Sequence, residues 1–111
     1  MEAMARAKYI KMSPRKVRRV IDLIKGKDVS ASLAMLRFTP KAAARALEKV
    51  VRSAAANASQ RPDVDADKLF VWRCWADEAP RTKRWRPRAM GRACPVIRRS
   101  CHITVVVRER E

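Results

Sequence analysis

The 111-residue sequence has little of what most enzymes require. Its one histidine, His102, has no evident nucleophile or carboxylate partner in the sequence. Its two glycines, Gly26 and Gly91, are too few for a phosphate-cradling loop, and its acidic residues are scattered. We therefore expect no catalytic residues, no enzymatic activity and no small-molecule substrate.

Cysteines and long apolar runs are also scarce. The three cysteines are Cys74, Cys94 and Cys101. They show no Cys-x-x-Cys spacing, and zinc would need four good ligands, so we expect reduced thiols that pack as small apolar residues, with no metal and no cofactor. No apolar run is long enough to cross a bilayer, and the N-terminus lacks a hydrophobic signal core. A cytoplasmic protein without a membrane partner is predicted.

Acidic residues are few relative to basic ones. The chain has 27 Lys and Arg residues against 11 Asp and Glu residues, which gives a formal charge of +16 and a pI near 11.2. A solvated basic face would explain a smaller excess, but solubility needs far less charge and usually mixes both signs. The charge instead predicts a polyanionic partner, because each phosphate neutralised by Lys or Arg releases counterions.

No acidic residue lies between Glu78 and Glu109, a stretch that holds nine basic residues. Strand-like segments 69–77 and 101–107 flank the most basic part, so we predict antiparallel neighbours joined by a long two-stranded arm. At about 3.3 Å per residue, ten residues out and ten back project on the order of 30 Å. A segment with this much charge buries too little apolar surface to become ordered alone. We therefore expect the arm to become ordered when it binds nucleic acid. We expect one domain, residues 1–111, with a body of 1–79 and 100–111 and an arm of 80–99.

Apolar residues at three- and four-residue spacing predict three helices. The first begins at Ser13-Pro14, with the Ser13 hydroxyl as N-cap, and ends at Gly26. The second begins at Ser30, and the third repeats the cap-and-proline pattern at Thr39-Pro40. The inward stripes are Val17, Val20, Ile21 and Ile24 in the first helix, Leu33, Ala34 and Leu36 in the second, and Ala44, Leu47, Val50, Val51, Ala54 and Ala58 in the third. Basic residues in the first helix's first turn oppose its dipole and favour an approaching anion.

Period-two alternation predicts three strands in the body. Residues 5–12 place Ala5, Ala7 and Tyr9 on one face. Residues 69–77 alternate between one face with Phe70, Trp72, Cys74 and Ala76 and another with Val71, Arg73 and Trp75. Residues 101–107 form the clearest strand, because they are rich in β-branched side chains.

Several runs of the sequence resemble those of one known family. They are residues 7–18 (AKYIKMSPRKVR), 22–27 (DLIKGK), 36–41 (LRFTPK), 53–58 (SAAANA), 80–84 (PRTKR), 86–93 (RPRAMGRA) and 100–107 (SCHITVVV). In this order, and over nearly the whole chain, they resemble the bacterial large-subunit ribosomal protein twenty-two family. Trp72 and Trp75 depart from the family pattern in their strand.

The resemblance implies an α+β fold, with three helices packed on a three-stranded antiparallel sheet and a long protruding basic β-hairpin. It also implies a structural component of the large ribosomal subunit that binds large-subunit rRNA, supports its assembly and extends the hairpin to the wall of the peptide exit tunnel. The implied partners are that rRNA, neighbouring ribosomal proteins and the nascent peptide at the hairpin tip.

Site residues follow from the matched motifs and the basic surfaces. The expected rRNA-binding residues are Arg6, Lys8, Lys11, Ser13, Arg15, Lys16, Arg18, Arg19, Arg81, Lys83, Arg84, Arg86, Arg88, Arg92, Arg98, Arg99 and His102. The expected tunnel-lining tip is Arg88, Ala89, Met90, Gly91, Arg92 and Ala93.

Two other functions fit parts of the same pattern. A nucleoid protein that bends duplex DNA with basic β-arms would also be small, charged and proline-bearing in its arm. A cationic membrane-active peptide would need a wide lipid-facing apolar side, whereas these helices bury their stripes in a core. Sedimentation with the large subunit, as opposed to comigration with chromosomal DNA after ribonuclease, separates the ribosomal and nucleoid hypotheses.

Overall fold

Three helices and two antiparallel sheets make up the described part of the chain. The structure, a computed structural model, describes residues 2–87, 89–91 and 93–110, with the backbone alone for Thr82, Ala89, Cys94, Pro95 and Val96. The elements are β1 (Glu2–Ile10), α1 (Pro14–Ile24), α2 (Val29–Phe38), α3 (Ala42–Ser59), β2 (Leu69–Glu78), β3 (Thr82–Pro87), β4 (Ala93–Arg98) and β5 (Cys101–Glu109), with 3-10 turns at Ala66–Lys68 and Ala89–Gly91.

The strand order confirms the predicted α+β architecture. β5 is the central strand of a three-stranded sheet of order β1-β5-β2, and both of its neighbours are antiparallel to it. β3 and β4 pair only with each other, from Thr82 opposite Arg98 to Pro87 opposite Ala93. The pairing runs across Pro95, which lies opposite Trp85. These two strands form the predicted arm. The molecule is elongated, and it measures 65 × 24 × 15 Å along its principal axes.

One face of the sheet and the apolar stripes of the helices form the core. The predicted stripes of α1 and α3 are buried: α3 packs on β1 and β5, and α1 packs on β2 and α3. With the inward side chains Ile103, Val105 and Val107 of β5 they form one core cluster. Pro14 lies at the start of α1, where its missing N–H costs nothing. Gly26 follows α1 with a φ of +75°, in the left-handed region that glycine adopts without strain. The predicted apolar stripes of α1 and α3 and the end of α1 at Gly26 are confirmed.

Three helix details were predicted wrongly. The Ser13 side chain makes no capping hydrogen bond, and its backbone carbonyl accepts from the amides of Lys16 and Val17 instead. Thr39 does not begin α3, because its hydroxyl donates to the Met35 carbonyl at 2.7 Å and so satisfies the end of α2. Ala34 is exposed, because the buried side of α2 is formed by Val29, Ser32 and Leu36.

Irregular strand positions explain two further differences. β1 begins and ends earlier than predicted, and its register shifts after Ala7, so Tyr9 is exposed with a φ of 58° and does not continue the inward face. In β2 a bulge lies between Val71 and Arg73. The extra residue at Trp72 reverses the alternation, which places Val71 in the core and the Trp72 side chain on the opposite face.

The described cysteines are buried free thiols. Cys74 and Cys101 line the core, as predicted for small apolar residues, whereas the Cys94 side chain lies outside the described atoms. Burial raises the pKa of the Cys74 thiol to about 12, with a smaller opposite effect of Lys25. Burial also raises the pKa of Cys101, against a smaller lowering by Arg18.

Candidate nucleic-acid interface

A broad groove of about 1360 Å³ lies where the body meets the base of the arm. Its walls are the end of β1, the N-terminal ends of α1 and α3, the first half of β3 and the end of β4. Tyr9, Met12 and Ile97 contribute apolar surface to the lining. We call this feature the basic groove, because cations make up much of the remainder.

The charges in the basic groove have one sign. Its charged lining residues are Lys11, Lys16, Arg19, Lys41, Arg84, Arg98 and Arg99. No acidic residue of the described chain lines it. Seven cations around one open groove repel one another, so a bound polyanion would relieve that repulsion.

Two helices also point their N-terminal ends into the basic groove. α1 begins after Ser13 and α3 after Lys41, and neither flanking residue caps its helix with a side-chain hydrogen bond. Neither first turn contains an acidic residue. Pro14 has no N–H, and the Lys16 and Val17 amides already bond to the Ser13 carbonyl, so α1 offers few free amides. The positive dipole ends of the two helices nevertheless add to the attraction that the groove's side chains exert on an anion.

The basic residues of α1 divide into two kinds. Arg15, Lys16 and Arg19 are exposed, and the last two line the groove. Arg18 instead donates from Nε and Nη2 to the Ala76 carbonyl at 3.2 and 2.8 Å. It therefore attaches α1 to β2, and its guanidinium is committed to the fold.

Three other residues from the expected RNA-binding set have partners in the protein. Arg6 lies on β1 and donates from Nε to the Thr104 hydroxyl at 3.2 Å. Arg81 forms an exposed ion pair of 3.4 Å with Glu78. His102 accepts the Tyr9 amide hydrogen at Nδ1, at 3.0 Å, and its ring packs edge-on against the Tyr9 ring at 4.8 Å. Tyr9 lies in the left-handed region, where the regular pairing of β1 with β5 is interrupted. The bond to His102 therefore gives the Tyr9 amide a partner at this irregular end of β1. Lys8 is exposed on the same strand.

The arm has two chemically different faces. Side chains alternate along a strand, so Arg84 and Arg86 of β3 share one face with Arg98 of β4. Lys83, Trp85 and Pro87 lie on the other face with Ile97, and the Trp85 and Ile97 side chains are 66% and 43% exposed. At the tip, Met90 is 96% exposed. Arg88 and Arg92 lie outside the described residues.

Sequence reasoning missed Lys41 and Tyr9, which line the basic groove. Lys41 lies beside the arm because α3 begins at Ala42, two residues later than the cap-and-proline pattern indicated, with Lys41 at the N-cap position. The single basic residues Arg37, Lys41 and Arg45, spaced four apart around the start of α3, were the available signal. The exposed Arg73 of β2 and the partly buried Arg108 of β5 were not in the expected set either.

The described residues also bear on a metal site and on a membrane-spanning helix. Within residues 2–87, 89–91 and 93–110, no three His, Cys, Asp or Glu side chains group closely enough to hold a metal ion. No helix of those residues combines the length and the apolar character needed to cross a membrane.

Known proteins match the chain over almost its entire length. The family model described as "Ribosomal protein L22p/L17e" matches residues 5–108. The "Large ribosomal subunit protein uL22" of Pelotomaculum thermopropionicum is 53% identical over 111 residues, which are 100% of this chain and 98% of that protein. Its counterpart in Clostridium novyi is 50% identical over 110 residues, 99% of each chain. That of Desulforamulus reducens is 54% identical over 111 residues, 100% of this chain and 98% of that protein.

Proposed function

Since the chain belongs to the ribosomal protein L22p/L17e family, we propose that its basic groove and its arm bind the RNA of the large ribosomal subunit. Family membership makes the chain a structural component of the large subunit in the cytoplasmic ribosome, and not an enzyme.

The main support for this proposal is that every charged side chain lining the basic groove is positive. Seven cations and two uncapped helix N-termini face one open space, and no acidic residue of the described chain balances them there. Folded RNA offers closely spaced phosphates that such a surface binds by shape and charge, without reading sequence. Arg15 and the exposed arm cations Lys83 and Arg86 extend the contact beyond the groove.

Four residues of the expected set have partners in the protein, and we assign them different roles. Arg18, Arg81 and His102 would position the neighbouring elements, whereas Arg6, which bonds to the Thr104 hydroxyl, lies on the face of the sheet away from the helices. Ser13 contributes the uncapped end of α1. Lys41 joins the set as a groove cation.

The arm would insert between RNA helices. Its arginine face, Arg84, Arg86 and Arg98, would neutralise phosphates on converging strands that otherwise repel, which supports assembly of the subunit. Its tip, Ala89–Gly91 and Ala93 with the flanking Arg88 and Arg92, would line the peptide exit tunnel and meet the nascent peptide. The exposed Met90 side chain would present a narrow, polarisable surface there.

Crosslinking in reconstituted large subunits tests the RNA contacts. Ultraviolet irradiation followed by mass spectrometry of RNA-linked peptides should recover residues 11–19, 41–45 and 83–99. Crosslinks confined to the opposite end of α3, near Ser59, would contradict the groove as the interface. For the tip, a photoreactive amino acid at Met90 should crosslink to a stalled nascent chain, and crosslinks to RNA alone would refute the tunnel placement.

A further inference from the structure

The face of the three-stranded sheet that points away from the helices carries aromatic and arginine side chains. We call it the outer face, and define it by Met4 and Arg6 of β1, by Thr104, Val106 and Arg108 of β5, and by Phe70, Trp72, Arg73 and Trp75 of β2. Val106 and Thr104 are buried even though the helices pack on the other side. The long side chains of their neighbours therefore cover them.

The bulge in β2 gives the outer face its most distinctive feature. It sets Trp72 beside Arg73, and Arg108 reaches the same indole from β5. The two guanidinium carbons lie 4.4 and 4.2 Å from the centre of the Trp72 ring. Arg110 lies over the Phe70 ring in the same way, at 4.4 Å. Planar cations stacked on aromatic rings thus run along one edge of the sheet.

Trp75 continues this row and is available to a ligand. It is exposed, and its indole N–H donates to Asp77 Oδ2 at 3.0 Å, which fixes the ring. Among the described residues, no cation or aromatic ring stacks on Trp75. A fixed aromatic ring with a free face is suited to stack on another flat molecule.

The charges on the outer face select the class of that molecule. Three arginines, Arg6, Arg73 and Arg108, outnumber the two carboxylates on this face, Glu2 opposite Arg108 and Asp77 beside Trp75. Arg73 and Arg6 have no acidic partner among the described residues, and the Arg108–Glu2 pair is long, at 3.5 Å. The ligand should therefore be both flat and negatively charged. Duplex RNA hides the flat faces of its bases within the helix, whereas an unpaired segment exposes them. Open antiparallel sheets with exposed aromatic residues are a known way of binding single-stranded RNA.

We propose that the outer face binds an unpaired segment of RNA, with one base stacked on Trp75 and the Arg73 guanidinium bound to the base or phosphate beside it. The inference rests on the proposed function as an RNA-binding protein, and it names a second surface for a different RNA conformation. The basic groove lies among the helix ends and the arm, and the outer face lies across the sheet from the helices. The two surfaces can therefore be tested separately.

The test uses the full-length chain with Trp85→Phe as the host. Of the three tryptophans, this host keeps Trp72 and Trp75, so its emission reports on the outer face alone. The probes are a short single-stranded oligoribonucleotide and a blunt RNA duplex, each labelled for anisotropy. We expect saturable quenching of emission by the single strand.

Variants of the host then assign the binding to stacking. Trp75→Leu should bind the single strand about tenfold more weakly, and Trp75→Phe should restore most of that loss. Arg73→Lys keeps the charge but loses the planar group, so we expect a loss of about threefold for the single strand. Because the Arg73 side chain is exposed, Arg73→Lys should fold like the host. Arg61→Ala, which removes an exposed charge elsewhere, is the control for the loss of net charge.

Failure of this inference is distinguishable from failure of the proposed function. If Trp75→Leu and Arg73→Lys bind the single strand as tightly as the host, the outer face does not bind RNA, and the inference is refuted. A protein neighbour would then be the remaining candidate for this face. Equal losses for single strand and duplex would also overturn the inference, because they would indicate general phosphate attraction. The proposed function is judged separately, by variants of the basic groove and their duplex affinity.

Discussion

Removing three cations from the basic groove is a direct test of the proposed interface. Lys16, Arg19 and Lys41 line it and are exposed, so the triple alanine variant should keep the fold, with small changes in the free energy of unfolding. Each phosphate contact contributes about 0.9 to the slope of log affinity against log salt for a duplex. The variant should therefore show a slope smaller by about 2.7, which amounts to a factor of about 40 across a fourfold range of salt.

A matched variant separates local contacts from net charge. Lys49, Arg61 and Lys68 are also two lysines and one arginine, they are exposed, and none of them lines the groove. Replacing them with alanine lowers the net charge of +16 by the same three units. Anisotropy titrations of a folded fragment of large-subunit rRNA at several salt concentrations would measure both slopes. Equal slopes in the two triple variants would refute the groove as the site of phosphate contact.

Three further predictions concern the fold that supports these surfaces. Arg18→Ala should lower the free energy of unfolding in urea by about 1–3 kcal/mol, because a β2 carbonyl loses two hydrogen bonds from a charged donor, whereas Arg15→Ala should change it little. An equal effect of the two substitutions would contradict the structural role of Arg18. Gly26→Ala should cost about 1–2 kcal/mol in the same assay, entirely through its φ of +75°, since an added Cβ meets no atom within 4 Å. Cys74 and Cys101 should resist iodoacetamide at mildly alkaline pH until urea is added, because burial raises the pKa of both thiols, that of Cys74 to about 12, and keeps them protonated. Peptide mapping by mass spectrometry would check this, and rapid labelling of the folded protein would contradict it.

Periodic segments could be predicted from sequence because their pattern and their burial have the same cause. The α1 and α3 stripes and the β-branched run of β5 each pack against one continuous core, so local spacing was sufficient. The arm could be predicted for the opposite reason, because its charge leaves it no core to join. The prediction for β2 was wrong where one inserted residue, Trp72, reversed the alternation. No local rule places a bulge without the partner strand.

The candidate site divides in the same way. Cations in the arm and on α1 were visible as charge runs, whereas the contribution of Lys41 depends on where α3 begins in space. Arg18 and Arg19 are neighbours of the same type in sequence, yet Arg18 binds a carbonyl of the fold and Arg19 lines the groove. Only tertiary contacts distinguish them, so sequence alone assigned both to RNA.

The base of the arm is narrow, and this has a mechanical consequence. Between the two sheets, the Ala79 amide donates to the Ser100 carbonyl at 3.0 Å, and the Ser100 hydroxyl donates to the Pro80 carbonyl at 3.0 Å. Strand β3, Thr82–Pro87, extends about 20 Å from this junction at about 3.3 Å per residue. Tilting a strand of that length by about 15° displaces its end by about 5 Å, roughly the spacing between paired strands. A substitution at Ser100 that changes the angle of the arm would therefore shift the position of Met90, although no residue near Met90 is altered.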